Sequence, residues 1–99
     1  MRLHVLDAAR DDLIAGFDFY EAREKGIGEH FLACLYSDVE SLRIFGGIHR
    51  KVYKNLQRAL SKRFPFAIYY TVGNDAIIVR AILDCRRNPS WVRSRLKNA

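Results

Sequence analysis

The chain is poor in several kinds of residue, and each scarcity narrows its class. Only two cysteines, Cys34 and Cys85, stand in 99 residues, and neither belongs to a CxxC or Cys/His spacing. That argues against a disulfide framework or a thiolate metal site and leaves two buried, reduced thiols as the expectation. The histidines His4, His30 and His49 are scattered, so neither a metal nor another cofactor is expected. No apolar run approaches the ~20 residues of a membrane span, and the N-terminus lacks the apolar block of a signal peptide. A cytoplasmic protein without a membrane partner is expected. No linker, internal repeat or low-complexity tract interrupts the sequence, which reads as a single domain over residues 1–99.

Acidic residues are also scarce, but only in the second half. Met1–His49 carries 5 Lys+Arg and 9 Asp+Glu, a net of −4, whereas Arg50–Ala99 carries 12 Lys+Arg and 2 Asp+Glu, a net of +10. Such asymmetry predicts one face for a polyanion or an acidic partner. A general nucleic-acid binder would fit the basic half, but the acidic half and the lack of a DNA-binding pattern weaken that reading. A plain interaction module is the remaining bland alternative.

Hydrophobic spacing gives the layout. Arg2–Leu6 (RLHVL) alternates and predicts a first strand. Asp7 is placed to cap a helix with an apolar stripe of Leu13, Ile14, Phe17 and Tyr20, leaving Asp11, Asp12 and Asp18 on a solvated face. Gly26 and Gly28 break it, and Phe31, Leu32, Leu35, Val39 and Leu42 mark a second helix ending before Gly46-Gly47. The short connection predicts an antiparallel helical hairpin. Leu56–Lys62 and Phe64–Val72 read as strands, the latter with Phe66, Ile68, Tyr70 and Val72 on one face. Gly73-Asn74-Asp75 supplies positive-φ residues for a tight turn. Ala76–Cys85 returns as a nearly continuous apolar strand, covered on both faces, with Arg80 as an exception that calls for a carboxylate partner, Asp84 or one from the helices, or else for a ligand contact. Asn88-Pro89 predicts an N-cap and first turn of a helix reaching Leu96. The order β-α-α-β-β-β-α predicts an α+β domain, an antiparallel β-sheet with the N-terminal helical hairpin on one face.

Several of these pieces occur together in a known family. The Ala9–Leu13 start (ARDDL), the segment Val52–Tyr70 (VYKNLQRALSKRFPFAIYY) and the ending Asp84–Trp91 (DCRRNPSW) lie in one order and spacing. With the Phe64-Pro65-Phe66 step, the tyrosine pair and the Arg-Arg-x-Pro-x-Trp ending, the chain resembles the RelE/ParE superfamily of type II toxin–antitoxin toxins, chiefly its ParE-like branch. The resemblance covers nearly the whole chain. It implies a growth-inhibiting toxin, of the kind found in plasmid stabilization modules, neutralised by an antitoxin whose C-terminal segment wraps it. In the ParE-like branch the implied target is DNA gyrase and no catalysis is involved.

The RelE-like branch instead implies ribosome-dependent mRNA cleavage, with ribosome and mRNA as partners. On that alternative Arg58 and Arg87 match two basic positions of the family pattern. Ala67 stands where a nuclease arginine is expected, and Trp91 and Val92, nearest to the C-terminal acid/base position, cannot exchange a proton. A relative that binds antitoxin without being active is a further alternative. The residues expected to meet antitoxin or target are Arg58, Lys62, Arg63, Tyr69, Arg86, Arg87, Trp91, Arg93 and Arg95. Against this stand plainer roles: a solvated corner for Arg86 and Arg87, and a core lid for Trp91.

Overall fold

The computed structural model describes residues 1–99. Along the chain come β1 (Arg2–Val5), α1 (Asp7–Arg23), α2 (Ile27–Phe45), β2 (Lys51–Tyr53), β3 (Leu56–Leu60), β4 (Phe66–Gly73), β5 (Ala76–Asp84) and α3 (Pro89–Lys97). The five strands form one sheet in the order β1-β5-β4-β3-β2. This is an α+β fold, as expected. The sheet is mixed rather than antiparallel, however, because β1 joins β5 in parallel, Arg2 opposite Ala76 and Val5 opposite Val79. The cause is the course of α1. It continues in the direction of β1, so that Asp12 meets Ile82 and Tyr20 meets Phe66 farther along the sheet. Only the helical hairpin and the three β-reversals then turn the chain. An even number of turns leaves β1 and β5 pointing the same way.

The helical hairpin closes as the glycines predict, with different duties for each. Gly26 adopts φ 94°, a conformation that costs other residues steric strain, and Glu21 accepts hydrogen bonds from the N–H groups of Gly26 and Gly28. Gly28 lies inside α2, where a Cβ would come within 2.8 Å of the Phe17 ring. Asp7 is the first helical residue of α1, not its cap; the cap position is Leu6, and Asp7 pairs with Arg10. The predicted stripe of α1 is also shifted. Ile14 is 53% exposed, while Ala9, Leu13 and Gly16 face inward. Small residues at Ala9 and Gly16 let the two helices approach, with the Phe31 ring filling the space over Gly16.

Two apolar clusters occupy opposite faces of the sheet. The larger joins Leu13, Phe31, Leu35, Val39 and Leu42 of the hairpin to Phe66, Ile68, Tyr70, Ile77, Val79 and Ile82. The smaller holds Leu56, Ala67, Tyr69, Ala81, Leu83 and Leu96 under α3. One irregularity makes both possible. Tyr69 pairs with Ala81 and Tyr70 with Val79, leaving Arg80 as an extra residue in β5. Before this bulge the odd-numbered side chains face the hairpin, and after it Ile82 does. Arg80 thus shares the α3 side of the sheet with Ala81. It has no carboxylate partner, contrary to expectation; its Nε donates to Thr71 Oγ1 at 2.9 Å.

The turn between β4 and β5 places its positive φ on Asp75 (59°) rather than on Gly73. Phe64 and Pro65 stay outside β4, which begins at Phe66, and Lys51–Tyr53 adds a short edge strand in the stretch the pattern leaves undefined. No helix is long and apolar enough to cross a membrane.

Candidate functional site

The second half of β5 loses its strand neighbour at Val79, where β1 ends and Leu6 N–H donates to the Val79 carbonyl. From there α1 runs beside the open edge on one side and α3 on the other. Between them lies a groove of about 370 Å³. Phe66, Ile82 and Leu83 contribute to its floor, and Phe19, Trp91 and Arg87 to its walls. Phe19 is one of the larger apolar side chains left exposed.

One ion pair fixes the width of this groove. Asp12 of α1 receives Arg95 Nη1 at 2.6 Å and Nη2 at 2.9 Å from α3. The same carboxylate accepts the Ile82 N–H at 3.0 Å, capping the strand edge that β1 leaves open. Both side chains are largely shielded, at 11% exposure for Asp12 and 29% for Arg95. The hydrogen bonds that Arg95 donates to Asp12 push its guanidinium further toward the charged form. Asp12 was expected on a solvated helix face; here it is a structural anchor, because α1 lies against the strand edge instead of standing away from it.

Trp91 forms the outer wall. It packs against the smaller cluster, and the Arg87 guanidinium lies 3.8 Å above its ring, with Arg95 at 5.7 Å. The lid role and a place in the groove therefore coexist in one residue. Arg86 at the rim is committed internally. It binds Asp84 in a two-pronged pair, with Nε at 3.0 Å from Oδ1 and Nη2 at 2.8 Å from Oδ2, and donates to the Tyr20 hydroxyl at 3.2 Å. Those bonds raise Arg86 above its ordinary range and hold the Asp84 carboxyl below its usual 3.8, the Arg86 side-chain hydrogen bond being the largest cause.

The remaining predicted residues do not converge on this groove. Arg58 and Tyr69 face each other across β3 and β4 on the α3 side of the sheet. Tyr69 is only 5% exposed, and burial pushes its phenol above 10.0 although Arg58 pulls the other way. Lys62 and Arg63 line a separate depression with His30, Cys34 and Asp38 of α2. Arg93 is exposed on α3, outside the groove. Of the two thiols, Cys34 is half-buried beside His30 and Cys85 is exposed, so Cys85 departs from the expected burial. No group of three His, Cys, Asp or Glu side chains is arranged to hold a metal ion.

Asp12, Gly16 and Phe19 were absent from the predicted site. A glycine inside an amphipathic helix was the one signal available, since it marks a close approach. Asp12 and Arg95 are separated by 83 residues and share no local pattern.

Neither a protein-family model nor a curated protein matches the sequence. Among solved structures, a chain described as "Chromosomal ParDE TA system from P. aeruginosa" superposes with a TM-score of 0.77. It is 19% identical, over 83% of this chain and 92% of that one. At that identity the likeness establishes the fold: the α+β architecture expected from the sequence is shared with that chain.

Proposed function

We propose that the chain is the toxin of a type II toxin–antitoxin module, a cytoplasmic inhibitor of DNA gyrase that a cognate antitoxin keeps silent. The observation that carries this reading is the likeness in fold to a ParDE-system chain, over 83% of this chain and 92% of that one. The groove between α1, β5 and α3 supports it. An apolar floor with Phe19 and Trp91 at its walls and cations at its rim suits an amphipathic, acidic segment of a partly disordered inhibitor. Arg87 is the groove cation left without an ion pair, since Arg95 is held by Asp12.

RNA cleavage is disfavoured by chemistry. In-line attack on a phosphodiester needs cations around one phosphate and a group that transfers a proton. Tyr69, the phenol nearest Arg58 across the strands, is buried with its proton held tightly. Arg87 stacks on the indole of Trp91, which cannot transfer a proton.

Expression of the chain alone should arrest growth, and co-expression of a small acidic protein encoded beside it should restore growth. Purified protein should inhibit gyrase supercoiling and leave ribosome-bound message intact. Unimpaired growth with abundant folded protein rules out toxicity. A discrete cut in the message, lost in Arg87→Ala, moves the chain to the nuclease branch.

A further inference from the structure

The bulged arginine lies on the α3 face of the sheet, away from the groove. Arg80 is half-buried, yet it meets no carboxylate; its single hydrogen bond goes from Nε to Thr71 Oγ1. That bond orients the guanidinium and leaves both terminal nitrogens free to donate. Removing an arginine from water without an anion is costly, and the usual compensation is an acidic side chain. Here none is supplied.

Two adjoining clefts share Arg80, Thr71 and Asn55. One, of about 550 Å³, is mainly polar and adds Lys51 and Gln57. The other, of about 290 Å³, adds Lys54 and Lys97 beside the apolar surfaces of Tyr53 and Leu96. No Asp or Glu side chain lines either cleft; Ala99, with its backbone carboxylate, lines the second, and none of Lys51, Lys54, Arg80 and Lys97 takes part in an ion pair. The polar cleft thus offers a forked guanidinium, an ammonium, a hydroxyl and the Asn55 amide, whereas the Gln57 amide is buried and accepts from Tyr70 on the hairpin side. The second offers an aromatic and an aliphatic wall.

We propose that this double cleft binds a small polyphosphorylated ligand of the nucleoside triphosphate class. Phosphate oxygens take the free Arg80 fork with Lys51, and the base lies against Tyr53 and Leu96. A planar guanidinium matches two phosphate oxygens at once, which an ammonium cannot do. The sizes fit a compact ligand, since ligand pockets generally span about 300–1,000 Å³. Bulges recur beside functional sites, and this one sets Arg80 and Ala81 next to each other on the α3 face of an otherwise apolar strand. The inference is independent of the toxin reading.

The test uses the full chain in calorimetric titrations and thermal melts with ATP, tripolyphosphate and AMP at moderate salt. ATP at about ten times its Kd should raise the melting temperature by roughly 6–11 °C. Arg80→Gln should weaken ATP binding by about tenfold or more, as should Lys51→Glu, because each removes a charge-assisted contact. Arg80→Lys should recover only part of the loss. Lys25→Glu, in the exposed turn between α1 and α2, changes net charge equally and should leave binding intact. If Arg80→Gln does not fold, Lys51→Glu and Lys97→Glu at exposed positions decide the matter. The proposal is overturned by absence of ATP and tripolyphosphate binding in the millimolar range, by AMP binding as well as ATP, or by an equal loss in Lys25→Glu. It is also overturned if a single-stranded oligothymidylate binds more than ~100-fold tighter than ATP, because that marks a polyanion track.

Discussion

Cutting the Asp12–Arg95 pair tests how the acidic half of the chain is fastened to the basic half. Exposed ion pairs contribute about 0–1 kcal/mol, whereas breaking a buried one costs about 3–5 kcal/mol. At 11% and 29% exposure this pair lies between those limits, so Arg95→Ala should cost about 2 kcal/mol. Asp12→Ala loses the same pair and also strands the Ile82 N–H, a group worth about 1–3 kcal/mol when left unsatisfied; its expected cost is therefore about 3–4 kcal/mol. In Asp12→Ala/Arg95→Ala the ionic contribution is removed once, so the double variant should fall short of additivity by about 1.5 kcal/mol. Urea titration followed by circular dichroism measures all three, and Arg95→Ala should melt about 8–16 °C lower than the parent. Amide exchange supplies a local readout, because Ile82 should lose protection in Asp12→Ala far more than in Arg95→Ala. Additive costs within about 0.3 kcal/mol, or equal costs for the two single variants, would refute the view that Asp12 serves helix and strand edge together.

Three further outcomes follow from the same geometry. Gly16→Ala places a methyl 2.5 Å from the Phe31 ring and should destabilise by about 1–3 kcal/mol through overpacking, read from the denaturation midpoint. Tyr70→Phe removes the hydroxyl that donates to Gln57 Oε1, accepts from Gly47 N–H and meets His49 Nδ1; with Gln57 buried the loss should be about 1–3 kcal/mol, and a neutral result denies the network any weight. The Asp84 carboxyl is held below 3.8, chiefly by Arg86, so the folded state binds its proton less tightly than the unfolded chain. The resulting stabilisation is complete above the unfolded value and vanishes as pH falls through the folded one. The stability difference between the parent and Arg86→Ala should accordingly be flat near neutrality and shrink with acid below about pH 4, measured by urea titration across pH.

Much of the architecture was legible because periodic burial dictates it. The α2 stripe from Phe31 to Leu42, the apolar β5 and the Asn88-Pro89 cap appear as expected, the Asn88 side chain accepting the Ser90 N–H at 2.8 Å. What escaped were features fixed by contacts between distant segments. The parallel pairing of β1 depends on α1 continuing past it, which no local pattern records. The bulge at Arg80 is hidden because β5 is apolar on both faces, so a change of phase leaves no mark on its hydropathy. For the site, the Arg87–Trp91 stack left no helical signature, because Arg87 precedes the Asn88 cap and lies outside the helix that carries Trp91. The dispersal of Arg58, Lys62 and Arg63 was hidden too, since positive charge in sequence says nothing about which face carries it.

Ion pairing shows where the charge asymmetry goes. Four salt bridges form, and two of them, Arg10–Asp7 and Arg43–Glu40, lie within single helices of the acidic half. Of the cations between Arg50 and Ala99 only Arg86 and Arg95 are neutralised by a neighbour, and Arg95 alone draws a carboxylate from the acidic half. Folding therefore consumes almost none of the +10 excess. Had the two halves evolved as mutual counter-charges, α1 and α2 would meet the basic strands through many such pairs; instead the interface is aliphatic and aromatic, built from Leu13, Phe31, Leu35, Tyr70 and Ile77. A stable core assembled by apolar packing leaves the cations free to repel one another, a cost that counter-ions or acidic partners relieve. The unpaired Arg80, half-buried in the sheet, is where that relief has the most to gain, and Arg87, exposed over the groove and stacked on Trp91, is the unpaired cation best placed to meet a partner.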